Sequence, residues 1–391
     1  MPWTLRMTLL LTLIMSVILL YLGLRLHWAV RRTHPGGTRL FTGVFLAAVT
    51  LFLLYPATAY VQNAMGYGFS WETVPALLVY PFWVGLIFSG VLLSWFITID
   101  ILALIGKWSF KTDLVRFNTI QARLMLFLAA ATALYVTGKT AWDTHHIGLD
   151  EIAYPLDEPG LDGFTIVHIS DLQADRYTTV RKMNRYVDMI NQAGPDLVIF
   201  AGDLVTEGTG YVMAGARALA GIESEHGIYA VIGDHDYWAG EEQVVDELEQ
   251  RGIVVLRNEN HWIEHQQNVV KLTGVTEIYN QKIDPGRLQQ LTDEHRGEGL
   301  SIMVAHQATD KIMREALEAG YHQLLAGHTH GGQIKVPVFF YQVSGARRDT
   351  PYVQGLWWFD NTLFNISSGL GFTLAPVRYN APARISVITI E

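Results

Sequence analysis

The chain has 391 residues, no cysteine, 50% hydrophobic and 17% charged residues, and a formal net charge of −9. The apolar content excludes a disordered or collagen-like chain, and the lack of cysteine excludes both a disulfide framework and zinc held by thiolates. Soluble chains carry about 25% charged residues, so the low value argues against a purely cytosolic protein.

The first third reads as membrane. Apolar runs cover residues 7–26, 40–61, 74–105 and about 124–136. A helix of about 20 residues crosses a hydrocarbon layer of about 30 Å. Four spans follow, the third one tilted or extended because it is long for a single upright helix. The first span is not a cleavable signal peptide, since three more follow and no small-residue cleavage site stands out. Residues 1–140 hold 10 Lys and Arg against 3 Asp and Glu. The first loop carries Arg25, Arg31, Arg32 and Arg39, and the third carries Lys107, Lys111, Arg116 and Arg123. Basic loops stay in the cytoplasm, so everything after span four is expected on the outer, periplasmic or extracellular face. Trp3, Trp28, Trp71, Trp95 and Trp108 sit near span edges, as interfacial anchors do. Asp100 reads as a polar residue at a membrane boundary, with no partner legible in the sequence.

Residues 141–159 read as a linker. From residue 160 onward, short β-branched runs alternate with amphipathic stretches. Residues 141–391 hold 18 Lys and Arg against 34 Asp and Glu. Strands are predicted at 164–170, 197–201, 228–232, 269–275, 301–305, 323–326, 363–366 and 384–390. Helices are predicted at 178–193, 241–251 and 308–319 from their apolar spacing. Such alternation gives an α/β layered domain. His168, inside the first strand, reads as a satisfied core histidine. The apolar stretch 334–341, IKVPVFFY, reads first as core strands covering the sheet. Its alternative is a lip that dips into lipid. Arg347 and Arg348 are equally readable as substrate-phosphate contacts or as solvated loop charges.

Five strands are followed by residues that bind metals: Asp171 and Gln173, then Gly202-Asp203, then Gly233-Asp234-His235-Asp236, then His306, then Gly327-His328-Thr329-His330. In an open α/β sheet, ligands bind beyond the carboxyl ends of strands. Carboxylates and imidazoles gathered there can hold two divalent metals about 3.5–4 Å apart, an arrangement suited to phosphate esters.

These five blocks, in this order, resemble the calcineurin-like metallophosphoesterase superfamily over residues 160–391. Gly331-Gly332-Gln333 and the 369–371 region with Pro376 and Arg378 resemble its bacterial membrane-associated branch. The resemblance implies a four-layer α/β/β/α sandwich, here preceded by an all-α transmembrane region at residues 1–140. It implies one metal on Asp171, Asp203 and His330, and a second on Asp203, Asp234, His306 and His328, with Asp203 bridging. His235 stays off the metals and serves the leaving oxygen, with Asp236 orienting it. Gln173 stands where the family has His, Asp234 where it has Asn, and Ser368 where Arg is expected. The first two make the site oxygen-rich, so Mn²⁺ is expected ahead of Mg²⁺, Fe or Zn²⁺.

The function implied is a membrane-anchored phosphohydrolase cleaving a phosphodiester, pyrophosphate or phosphomonoester. A metal-bound hydroxide attacks and His235 assists the leaving group. A lipid-linked substrate suits a site beside a bilayer, and no nucleic acid is expected of a domain with net charge −16. The competing readings are a degenerate-site sensor with little turnover, and a transporter or scaffold with an accessory domain. The last is disfavoured because no paired intramembrane charges are legible.

Overall fold

The computed structural model describes residues 3–67, 73–109, 114–294 and 299–391. Trp71 and Lys111 lie outside the described residues. The chain forms two compact units. The first comprises Met1–Thr144, Ile334–Ser344 and Leu374–Asn380; the second comprises His145–Gln333, Gly345–Thr373 and Ala381–Glu391.

The first unit is built on α1 (Trp3–Thr33), α2 (Thr38–Ala64), α3 (Ala76–Ser109) and α4 (Leu114–His145). All four are long and apolar enough to cross a membrane. In lipid a helix satisfies its backbone internally, and its hydroxyls do the same. Thr12 donates to the Thr8 carbonyl at 2.7 Å and Thr98 to the Ser94 carbonyl at 2.8 Å. Asp100 departs from expectation. It pairs with Arg25 and accepts hydrogen bonds from Tyr21 at 2.8 Å and Gln121 at 2.9 Å. One carboxylate thus joins α1, α3 and α4. A polar group inside an apolar bundle holds helices together when its partners come from different helices. A charge pair between the apolar helices, which the sequence did not reveal, is therefore present.

The apolar stretch after residue 333 also departs from its first reading. Val336–Val338 and Tyr341–Val343 form an antiparallel hairpin that belongs to the first unit and lies along α3. It is a two-stranded sheet of its own, not a strand of either six-stranded sheet. Lys335 N–H donates to the Tyr379 carbonyl, and Asn380 N–H donates to Asp143 on α4 at 2.6 Å. Arg378 is fully buried in this unit, its N–H on Thr144 Oγ1 at 3.0 Å.

The second unit opens with β1 (Ile147–Tyr154), which occupies the stretch read as a linker. Then come β2 (Thr165–Ile169), α5 (Val180–Ala193), β3 (Leu197–Phe200), α6 (Val212–Leu219), β4 (Ile228–Ala230) and α7 (Asp234–Glu249). After them run β5 (Val254–Val255), β6 (Glu259–His265), β7 (Asn268–Val275), α8 (Pro285–Asp293), β8 (Leu300–Ala305), α9 (Asp310–Glu318) and β9 (Gln323–Ala326). The hairpin strands are β10 and β11. The chain ends with β12 (Gly355–Phe359), β13 (Thr362–Ile366) and β14 (Ala383–Ile390).

Two six-stranded sheets result, ordered β1-β14-β2-β3-β4-β5 and β12-β13-β9-β8-β7-β6. Three apolar layers separate four structural ones. Ile166, Ile199, Leu272 and Val304 pack between the sheets. Val167, Phe200, Met183 and Leu248 join the first sheet to α5–α7. Met303, Leu324, Leu288 and Ile312 join the second sheet to α8 and α9. This is the α/β/β/α sandwich. The central strands are buried on both faces, so they read as continuous apolar runs, as parallel strands do. His168 is fully buried between the sheets, but neither ring nitrogen has a hydrogen-bond partner. It is a core histidine without the satisfaction expected of it. Burial pushes its pKa down to about 3, so the ring stays neutral.

Candidate metal centre

The β2–β3–β4 run of the first sheet and the β8–β9 pair of the second end in the chemistry-bearing residues. Asp171 and Gln173 follow β2, Asp203 follows β3, Asp234 opens α7 after β4, His306 follows β8, and His328 and His330 follow β9. Short strands leave little chain between the last ladder bond and the site, so the backbone must turn sharply. Asp171, Gln173, Asp203, His328 and His330 all take positive φ, between 48° and 70°. Non-glycine residues adopt this region at a cost, and such strain clusters at functional sites. Gly233 is required by close approach: a Cβ there would lie 2.0 Å from Asp203 Oδ1.

Seven side chains meet in two groups. Asp171, Asp203 and His330 offer ligand atoms within 4.8 Å of one another, and Asp234, His306 and His328 do the same. Asp203 reaches across, with its Oδ2 lying 3.3 Å from His306 Nε2. His306 Nε2 is also 3.0 Å from Asp234 Oδ1, which lies 3.1 Å from His328 Nδ1. His330 Nε2 is 3.2 Å from Asp171 Oδ1. Gln173 joins the first group, its amide donating to Asp203 Oδ2 at 2.8 Å.

The residues fit divalent cations. Gln173 Oε1 is a buried acceptor with no hydrogen-bond partner among the described residues, and His306 Nε2 faces one oxygen each of Asp203 and Asp234. Buried polar atoms are normally paired, and three buried carboxylates within one site need countercharge. In the protein alone the imidazoles supply it. Burial pushes His306 down, but Asp203 and Asp234 outweigh this and hold it well above its ordinary value. Burial likewise opposes ionisation of Asp171 and Asp234. The charge of His330 beside Asp171, and the hydrogen bonds of His306 and His328 to Asp234, hold both below the carboxylate range.

His235 stands apart from both groups, at the start of α7. Its backbone N–H donates to Asp203 Oδ1 at 3.0 Å. Its Nδ1 lies 2.6 Å from the Thr206 carbonyl, so Nδ1 carries hydrogen there and Nε2 is left facing Thr373 Oγ1 at 3.4 Å. Asp236 does not orient it. The Asp236 carboxylate instead accepts the N–H groups of Asp203 at 2.8 Å, Leu204 at 2.7 Å and Gly233 at 3.1 Å. Asp236 therefore holds the turn that presents Asp203. The reason is local: at the third position of α7 a carboxylate faces the free N–H groups at the helix start and the adjoining turn. Burial, then the charge of Asp203, push its pKa up to about 7.

Sequence reasoning missed the aromatic wall. Trp238 lies edge-on to His235 with ring centres 5.2 Å apart, and Tyr279 hydrogen-bonds His328 Nε2 at 3.1 Å. Trp238 could have been found from its spacing of three after His235 on one helix. Tyr279 sits in a loop with no motif. A cavity of about 310 Å³ adjoins the second group and is lined by Tyr279, Lys282, His328, Arg348 and Thr350 among others. Arg348 lines it, and Arg347 is not among its lining residues. Ser368 is buried at 4% exposure and offers no cation.

The sequence pattern of the calcineurin-like phosphoesterase family matches residues 164–334. The chain is 27% identical over 237 residues to an uncharacterized metallophosphoesterase, YkuE, of Bacillus subtilis, covering 59% of this chain and 80% of that one. It is 23% identical over 362 residues to an uncharacterized metallophosphoesterase of Campylobacter jejuni, covering 90% of each. A zebrafish transmembrane protein with metallophosphoesterase domain is 25% identical over 282 residues, covering 69% of this chain and 63% of that one.

Proposed function

We propose that this chain, a calcineurin-like metal-dependent phosphoesterase with four apolar helices before its catalytic domain, hydrolyses a phosphate ester at a centre of two divalent ions. The observation that carries this is the pair of ligand groups joined through Asp203. One ion would be held by Asp171, Asp203, His330 and Gln173 Oε1, the other by Asp203, Asp234, His306 and His328. Four of these seven side chains give oxygen, which favours Mn²⁺ or Mg²⁺ over softer ions. When bound, such ions supply a water activated at neutral pH and positive charge for the phosphoryl oxygens. His235 presents Nε2 to the leaving oxygen, with Nδ1 fixed on Thr206. Asp236 keeps the Asp203 turn in place.

The test is direct. Chelator-stripped protein reloaded with Mn²⁺ is expected to hold about two ions per chain and to hydrolyse bis(4-nitrophenyl) phosphate. Fewer than about one ion, with no turnover under Mn²⁺, Mg²⁺, Fe²⁺ or Zn²⁺, would establish the sensor reading instead.

The catalytic domain is proposed to lie on the outer face. Arg25 is held by Asp100 and leaves the loop count, but Arg31, Arg32 and Arg39 still face the same side as Lys107, Arg116 and Arg123 in an alternating four-span path. Alkaline phosphatase fused after residue 145 is expected to be active in a bacterial host. An inactive fusion, with a fluorescent cytoplasmic reporter lit at the same point, would reverse the topology.

A further inference from the structure

The hairpin of the first unit carries Phe339 and Phe340 at its two-residue loop. Such loops in water draw Asn and Gly, because the backbone must enter the left-handed region. Here Phe339 takes φ +54°, which bulky residues avoid. Phe340 is 99% exposed, Tyr341 75% and Phe339 50%. A strained turn that displays aromatic rings asks what covers them.

The depth of the hairpin answers. Val336 lies against Gly90 of α3 so closely that a Cβ on Gly90 would sit 2.8 Å from Val336 Cγ1. Phe339 N–H donates to Ser94 Oγ at 3.3 Å. Ser94 is 18 residues from Ala76 and 15 from Ser109, or about 27 and 22 Å from the two ends at the helical rise. The contact is therefore near the middle of a helix that is long enough to cross a bilayer. Non-helical backbone at that depth must find partners within the protein. The two strands bond each other, Pro337 brings no N–H, and Ser94 accepts the N–H at the turn.

We propose that this hairpin is immersed in the bilayer, its aromatic tip among the acyl chains, and that the ester cleaved is the phosphate ester of a membrane lipid. This rests on the phosphohydrolase reading above. The chain ties the hairpin to the metal centre from both sides. His330 precedes Val336 by six residues and the cavity residue Arg348 follows Val343 by five. At the reach of an extended chain, neither link exceeds about 20 Å. Two short links thus tether a hairpin suited to acyl chains to the domain that carries the metal-ligand candidates. Arg348, which has no ion pair among the described residues, is a cation suited to a phosphate headgroup.

The absence of cysteine makes the test clean. Full-length Phe340→Cys is labelled with nitrobenzoxadiazole in vesicles of equal parts phosphatidylethanolamine and phosphatidylglycerol. Phe127→Cys on α4 and Glu249→Cys on α7 give the lipid and aqueous references. The label at 340 is expected to be quenched by doxyl-lipids like that at 127. Quenching by aqueous iodide, as at 249, overturns the immersion. Independently, Phe340→Asp is expected to lower hydrolysis of vesicle lipid phosphate about tenfold while leaving the soluble diester rate unchanged. Equal losses on both substrates, or no loss on either, overturn the lipid substrate. If unaltered protein hydrolyses neither substrate, the phosphohydrolase reading and the lipid substrate fail together, and immersion is decided by the quenching alone.

Discussion

Asp203→Asn is expected to lower kcat about a thousandfold and to reduce bound metal from about two ions per chain to about one or fewer. Asparagine keeps the shape and one carbonyl oxygen, so the side chain still accepts from the Gln173 amide or the His235 N–H. What it loses is the charge and the second carboxylate oxygen. Asp203 Oδ2 lies 3.3 Å from His306 Nε2, while Asp203 also belongs to the group with Asp171 and His330. No other side chain among the described residues stands in both relations. Removing a few kcal/mol of charge stabilisation from a phosphoryl transfer accounts for the thousandfold loss. Folding should survive, because the Asp236 carboxylate grips the backbone of the turn and not the Asp203 side chain. Metal analysis, circular dichroism and steady-state rates on the same preparation check all three statements. A rate within about threefold of the parent would remove Asp203 from the centre.

His235→Ala is expected to cost about 10²- to 10⁴-fold in kcat with metal content unchanged. The size should depend on the leaving group. A 4-nitrophenolate leaves well without a proton, whereas an alkoxide does not. The loss is therefore expected to be larger for an alkyl phosphodiester than for the nitrophenyl one. This contrast separates a proton donor from a merely structural histidine, whose loss would slow both alike. The geometry suits a donor once the ring is charged: Nδ1–H is taken by the Thr206 carbonyl at 2.6 Å, and the imidazolium, opposed by burial but favoured more by the Asp203 and Asp234 carboxylates, holds its second proton on Nε2, which lies 3.4 Å from Thr373 Oγ1. Uniform loss on both substrates would assign His235 to charge stabilisation or scaffolding.

Most of the catalytic domain was legible because its strands are short, apolar and followed by polar residues. The 323–326 strand is matched residue for residue, and the others shift by one or two positions at their ends. Helix α7 was legible only in its second half. Gly240, with φ 132°, breaks its periodicity, so the first turn at Asp234 was hidden. Strand β1 was unreadable because its burial alternates irregularly; it pairs in parallel with β14, more than 200 residues away. The apolar hairpin was assigned to the sheets for a simple reason: a strand packed on a sheet and a strand packed along an apolar helix have the same composition. The partners of Asp100 were not legible because Tyr21, Arg25 and Gln121 come from two other helices.

The amino-acid sequence by itself pointed to the chemistry. Residue types at strand ends, in a particular order, named the candidate ligands before any distance was known, since residue type is a local property of the chain. Tertiary structure decided which groups meet. It placed Asp203 between two groups of candidate ligands, took Asp236 away from His235 and gave it the N–H groups of the turn, and laid an aromatic hairpin along a transmembrane-length helix. These are relations between segments far apart in the chain, and residue order leaves them open because they are settled by packing and by where buried polar groups find partners.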